Sequence, residues 1–176
     1  EPSAARPAGV ENLLERDFSA TARDKRWVTD ITYIRTDEHW LYLSIVLDLY
    51  SDEVVGWSMG NRQDTELVMR SVLMALGQRE GDGPTVLHSD RGSQFTSGDY
   101  QDFLDDNGLI SSMSAVGSCA DNAAAEGFFG RLKRERVNRR HYRTSAEART
   151  DVFDYIERVH NADRRRRLKH SAALST

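Results

Sequence analysis

The chain has 176 residues, 24 Lys+Arg against 28 Asp+Glu for a formal net charge of −4, and one cysteine. That length suits one domain burying roughly 70% of its unfolded surface. One cysteine excludes a disulfide scaffold and a Cys-rich zinc site, and it suits a reducing cytosol. The longest apolar run, Trp40 to Leu49, is interrupted by Ser44 and Asp48 and is too short to span a bilayer. No basic-then-apolar signal opens the sequence, so it reads as a soluble intracellular domain. The mean charge hides an asymmetry. Residues 1–130 carry 10 Lys+Arg and 22 Asp+Glu, whereas residues 131–170 carry 14 and 6. Such a basic stretch is either a set of phosphate contacts for nucleic acid or a solvated helix face, and composition alone does not choose.

Residues 1–24 hold two of the three prolines and no sustained period. They read as a linker or entry arm, with Leu13, Leu14 and Phe18 as docking residues. Trp27 to Arg35 is rich in β-branched and aromatic residues and predicts a strand. Trp40 to Leu49 is nearly continuous apolar, as in a strand covered on both faces, and Val54 to Met59 is a third strand; short polar turns make the three an antiparallel meander. Asp64 or Thr65 caps a helix with Val68, Val72, Ala75 and Leu76 at helical spacing, and Gly81, Gly83 and Pro84 close the segment. Thr85 to Ser89 is a fourth strand that delivers Asp90 at its end. Ser97 caps a short helix with Tyr100, Phe103 and Leu104 that stops at Asn107-Gly108, and Leu109 to Met113 predicts a fifth strand. Ser114 to Ala120 is small and aperiodic and reads as a mobile loop. Asp121-Asn122 caps a helix to about Val137 with Phe128, Phe129 and Leu132 inward. Thr144 to Glu147 has capping-box spacing and opens a last helix in which Ala148, Val152, Ile156 and Val159 share a face. The three tryptophans, Trp27, Trp40 and Trp57, are read as core rather than as base-stacking residues. This order implies an α/β fold, a mixed five-stranded sheet with helices on both faces. The boundaries are an arm over 1–24, a core over 25–162 and a basic tail over 163–176.

Three carboxylates stand in unlike settings. Asp30 lies mid-strand with Val28 and Thr32 on its own face, where an unpaired charge is costly; the alternative is an edge position facing water. Asp90 sits where a strand gives way to a glycine turn, a common place for catalytic residues, although a turn Asp also bonds its own backbone. Glu126 falls one turn into a helix, where the dipole favours any surface Glu. Taken together, two Asp and one Glu without a His or Cys cluster suit Mg²⁺ or Mn²⁺ better than zinc. Two such ions can serve an in-line phosphoryl displacement.

The segments WVTDITYI, WLYLSIVLDLYSDEVVGWSM, HSDRGSQFTS and SMSAVGSCADNAAAEGFFGRLKRE, in that order, closely resemble the integrase-core domain of bacterial insertion-sequence transposases of the insertion sequence 3 type, relatives of retroviral integrases. Thirty-five residues separate Asp90 from Glu126, the Asp-Asp-35-Glu spacing of that family. The resemblance runs from about Asn12 to about Arg167. It implies a ribonuclease-H-like fold and a catalytic, metal-binding triad of Asp30, Asp90 and Glu126. It also implies Mg²⁺ or Mn²⁺, two ions per site, and action on DNA (element ends and target) by 3′-end cleavage and strand transfer. The implied setting is the bacterial cytoplasm at the nucleoid, with self-association on DNA, no membrane and no nucleotide cofactor. A nuclease of the same fold and a non-catalytic DNA-binding fragment are the alternatives.

The resemblance extends to the site's neighbours. Lys133 and Gly130 share a helix face with Glu126: the glycine would admit a DNA backbone and the lysine would hold a phosphate, as in related integrases. His88, Arg91, Gly92, Ser93 and Gln94 surround the second aspartate, with His88 read as structural and Arg91 and Gln94 as DNA contacts. Arg131 and Arg134 are taken as further DNA contacts. Asp121 is read as a helix cap, the alternative being an extra metal ligand. Ser112, Ser114 and Gly117 belong to a loop bordering the DNA site, and Cys119 is inert there. Two departures stand out. The upstream helix-turn-helix of the family is not seen, so the chain reads as a catalytic fragment with weak end recognition, and the usual Leu-Gly-Tyr-x-Ser-Pro ending is replaced by DRRRRLKHSAALST.

Overall fold

The computed structural model describes residues 20–81, 83–90, 92–113 and 122–175. The docking residues expected at Leu13, Leu14 and Phe18, the loop at 114–120, and Arg91 and Asp121 lie outside these. Strand β1 (Arg26–Arg35), β2 (Trp40–Asp48) and β3 (Val54–Gly60) form the expected meander. Then come α1 (Thr65–Gln78), β4 (Thr85–Ser89), α2 (Ser93–Thr96), α3 (Gly98–Asp106), β5 (Leu109–Met113), α4 (Ala123–Glu135), α5 (Ser145–Asp154) and α6 (Asn161–Leu174). The single turn α2 has no signal in the sequence. The sheet order is β3-β2-β1-β4-β5. Pairs β1–β2 and β2–β3 are antiparallel, and β1–β4 and β4–β5 are parallel.

Helices cover both faces. On one, Val28, Ile34, Leu41, Leu43, Ile45 and Leu47 meet Phe128, Phe129 and Leu132 of α4 and Val152 of α5. On the other, Trp27, Val46 and Val55 meet Val68, Val72 and Ala75 of α1 and Tyr100 and Leu104 of α3. Strand β2 is therefore apolar almost throughout because both of its sides are covered. The two polar residues that interrupt it are satisfied: Ser44 hydrogen-bonds the Ser71 hydroxyl at 2.8 Å, and Asp48 accepts from the Ser51 and Asp24 amides at 2.8 and 2.9 Å.

One tryptophan departs from the core reading, while Trp57 packs against the margin of the core. Trp27 is fully buried, but Trp40 is 47% exposed. It opens β2 beside a polar turn, beyond the reach of either helix layer. Trp57 is half-buried, with its indole N–H donating to Glu157. The expected face of the last helix also slips. A π-helical turn over Tyr155–His160 adds a residue to the turn, so His160 and Asn161 turn inward while Val159 is exposed. The Asn161 amide then bonds both the N–H and the C=O of Val54, at 2.8 and 2.9 Å, as another strand would. This covers part of the edge of β3. Arg164 and Arg165 follow onto Asp52 and Glu53.

Helix α1 approaches β3 at Gly56, where a Cβ would lie 2.1 Å from the Ser71 carbonyl oxygen and 2.9 Å from the Ala75 Cβ. Backbone cannot yield as a side chain can. Gly56→Ala should lower the unfolding free energy by about 2–3 kcal/mol in urea titrations, while Gly77→Ala, with open space around it, should not.

Candidate active site

Strand β4 positions the site by the way it leaves the sheet. It pairs with β1 only over Arg26–Val28, with Val28 opposite His88. Two residues beyond that pair stand Asp30 on β1 and Asp90 just past the end of β4, near enough for Asp90 to oppose the charge of Asp30. The strands part there, at the carboxyl end of β4, where open α/β sheets make their clefts. Glu126 enters from the first turn of α4, whose Phe128 and Leu132 anchor it on the Val28 face of the sheet.

The three carboxylates sense one another. Burial, reinforced by the negative charges of Asp90 and Glu126, outweighs the Ile31 amide that donates to Asp30 at 2.9 Å, and the Asp30 carboxyl is pushed up to about 7. Asp90 is half-buried and also accepts from the Gly92 amide at 2.9 Å, so it keeps the backbone bond of an ordinary turn aspartate. Glu126 is exposed. Among the described residues none of the three forms an ion pair with a Lys or Arg, and no group of three His, Cys, Asp or Glu stands close enough to grip one ion as it is. The donor set is all carboxylate, hard oxygen with no soft ligand, which fits a hard dication.

The neighbouring residues divide. Asn122 stands at the N-cap of α4, but its side chain makes no capping bond. Instead the buried amide approaches Asp30, too loosely for a well-formed hydrogen bond yet favouring the charged carboxylate. The capping expectation therefore yields to a place inside the site. His88 is buried, with Nδ1 bonded to the Ser112 hydroxyl across β4 and β5, in keeping with a structural role. Gln94 lies over Gly92, where a Cβ would come 2.5 Å from its Nε2. Lys133 is on the Glu126 face, with Nζ 5.2 Å from the centre of the Tyr33 ring. Arg134 Nη1 lies about where a Cβ on Gly130 would crowd it, at 3.0 Å. Arg131 points elsewhere and pairs with Asp52 at 3.6 Å. Much of the remaining basic stretch is engaged internally: Arg136 and Arg140 both reach Asp151 at 2.7 Å. Tyr33, which the sequence reading passed over, and Trp40, which it assigned to the core, are exposed aromatics that follow Lys133 in contact. A large aromatic beside a polar turn was the available signal.

The titration of Asp30 has a consequence for stability. Its ordinary value is near 4, and a folded-state value raised to about 7 means the folded protein holds that proton more tightly than the unfolded chain. Stability from this group is complete below the unfolded value and is lost as pH rises through the folded one. In metal-free buffer the chain should lose stability between about pH 4 and pH 7. Asp30→Asn should flatten that slope and be the more stable protein at mildly alkaline pH, as read by denaturant titration across pH.

Comparison with known proteins bears on the same region. The integrase core domain family matches residues 20–119, and a second integrase core domain family matches residues 126–175. Transposase InsF for insertion sequence IS3A of Escherichia coli K12 is 46% identical over 155 residues, 88% of this chain and 54% of its own length. The transposase for insertion sequence element IS904 of Lactococcus lactis is 44% identical over 153 residues, 87% of this chain and 60% of its own. The chain thus spans little more than half of these curated relatives. Among solved structures, the catalytic domain of the Mos1 mariner transposase superposes with a TM-score of 0.64 at 10% identity, covering 76% of this chain and 70% of that one. The HTLV-2 integrase catalytic core, solved with magnesium, gives 0.53 at 18% identity, covering 65% and 70%. At such identities the likeness establishes the fold, which is ribonuclease-H-like. The extent of the first match and the near-half identity to InsF make this chain a member of the integrase-core family, on the branch of the insertion sequence 3 transposases.

Proposed function

We propose that the chain is the catalytic core of a DNA transposase, a polynucleotidyl transferase that cuts at the 3′ end of an element and joins it to other DNA. The observation that supports this reading is the repulsion that Asp30 feels from Asp90 and Glu126 where β4 parts from β1, with no basic partner of the three among the described residues. Kinship to InsF supports it. In this reading residues 25–162 form the core, 1–24 an entry arm and 163–176 a basic tail.

Asp30, Asp90 and Glu126 would hold Mg²⁺ or Mn²⁺, two ions per site, which when bound activate the attacking oxygen and stabilise the leaving one. Lys133, on the Glu126 face of α4, neutralises a DNA phosphate, and Gly130 between them lets the backbone come close. Gln94 and Arg134 offer donors to phosphate at the flanks, and Arg91 is assigned there too, from its place beside Asp90. Arg131 is a weaker candidate because Asp52 already holds it. Asn122 keeps an amide beside Asp30. Water first attacks a phosphodiester at the element end and frees a 3′-hydroxyl. That hydroxyl then attacks a second phosphodiester, whose own 3′-oxygen leaves. One phosphodiester is exchanged for another, so no ATP is needed and no covalent enzyme intermediate forms. Two DNA ends call for self-association on DNA, in the bacterial cytoplasm at the nucleoid.

A branched-DNA strand-transfer assay with Mn²⁺ tests this, comparing the chain with its Asp90→Asn variant. Metal-dependent joining that disappears in the variant is expected. Cleavage without joining would instead assign a nuclease of the same fold, and the absence of Mn²⁺ binding would end the catalytic reading. Mn²⁺ should also recover the stability that the metal-free protein loses between about pH 4 and pH 7, since a dication relieves the charge that burial and repulsion oppose.

A further inference from the structure

Tyr33, three residues beyond Asp30 on β1 and on the opposite face of the sheet, and Trp40 are 56% and 47% exposed. Tyr33 lies opposite Tyr42, and Trp40 opposite Arg35, so the two rings are diagonal neighbours on one face of the β1–β2 ribbon. They meet edge to face, with centres 5.1 Å apart and planes at 84°. Lys133 belongs to α4, on the other side of the sheet. It reaches Tyr33 where β1 has lost β4 as a neighbour, since the pairing ends at Val28. Its ammonium takes the Tyr33 ring and leaves Trp40 as the larger ring without a cation over it among the described residues. The acids of the adjoining turn are occupied: Asp37 bonds His141 at 2.7 Å, and Glu38 accepts from the Ser145 amide at 2.9 Å.

The spacing along both elements agrees. Tyr33 is three residues beyond Asp30 on a strand, about 10 Å, and Lys133 is seven beyond Glu126 on a helix, also about 10 Å. At about 3.4 Å per nucleotide, that is roughly three stacked nucleotides. An exposed ring pair next to a cation suits a nucleobase stacked on the ring with its phosphate on the ammonium. A self-complementary contact with a second copy would set Lys133 against Lys133.

Resting on the reading of the site as a DNA transferase, we propose that Tyr33 and Trp40 form a stacking platform for an unpaired base about three nucleotides from the scissile phosphate, with Lys133 on the adjacent phosphate. Such a platform tolerates any base, because every base has a π-face. It would hold the strand frayed at the site and so fix how far from the carboxylates the DNA end must open.

The test uses branched DNA carrying 2-aminopurine at one position at a time, counted from the scissile phosphate, with binding followed by anisotropy. The chain should quench the probe most at about the third nucleotide. Tyr33→Thr and Trp40→Thr, which keep a strand-forming residue at exposed positions, should abolish that maximum and weaken binding roughly tenfold. Trp40→Phe should restore it, and Tyr50→Ser, at an exposed tyrosine remote from the site, should behave as the parent. DNA bound with quenching that is flat along the strand, or unchanged in the two threonine variants, would overturn the platform and leave the transferase reading standing. No binding of the DNA by the parent chain in Mn²⁺ would overturn both. Self-association lost in Trp40→Thr without position-dependent quenching would also overturn the platform, giving the rings to a second copy.

Discussion

The brevity of the β1–β4 pairing decides most of what this molecule presents at its functional end. The two strands share hydrogen bonds only over Arg26–Val28, and β1 then continues to Arg35 with β2 as its sole partner among the described residues. While they are paired they set the register that brings Asp30 and Asp90 near each other. Where they part, the sheet opens a cleft in which a carboxylate can stay half-buried. Had β4 run on alongside β1, Asp30 would be enclosed between two strands and Lys133 could not come round the strand edge to Tyr33.

Charge repulsion at the cleft is balanced by structure elsewhere. Asp30 and Glu126 are held by a strand and a helix that share one core, while Asp90 follows β4, which is anchored through Leu87 in the core on the other face, so packing keeps together what electrostatics pushes apart. The outcome is a carboxyl at Asp30 that burial and its neighbours' charges hold well above the usual carboxylate range. Its partner device is Asn122, which gives up capping α4 to face Asp30 with an amide.

The uneven charge of the sequence turns out to be partly an internal matter. The acidic first part meets the basic last part at the β2–β3 turn, where Glu53, buried, takes Arg165, and Asp52 takes Arg164 and Arg131. Asp151 gathers Arg136, Arg140 and the Tyr142 hydroxyl. These pairs fasten the C-terminal helices to the sheet, and they remove several arginines from the supply available to phosphate. Lys133 and Arg134, close to the carboxylates, do not share that fate.

By itself the sequence determined the order and nature of the elements. Five strands and the starts of α1, α3, α4 and α5 lie within a residue or two of their expected bounds, because alternation, apolar runs and caps such as Asp64, Ser97 and Thr144 are local signals, whereas α6 (Asn161–Leu174) runs through the stretch expected as a tail. The family was likewise legible, since its motifs are short and in order. What depends on distant partners was not. The single turn of α2, the π turn that swings His160 and Asn161 inward, and the pairing of Arg131 with Asp52 are set by packing between segments far apart in the chain. Trp40 has the composition of a core residue and lies on the surface, because only the layout of helices over the sheet says which end of β2 is left uncovered. A strand's apolar character can be read from its own residues. Which neighbours it has, and where they stop, is a property of the whole fold.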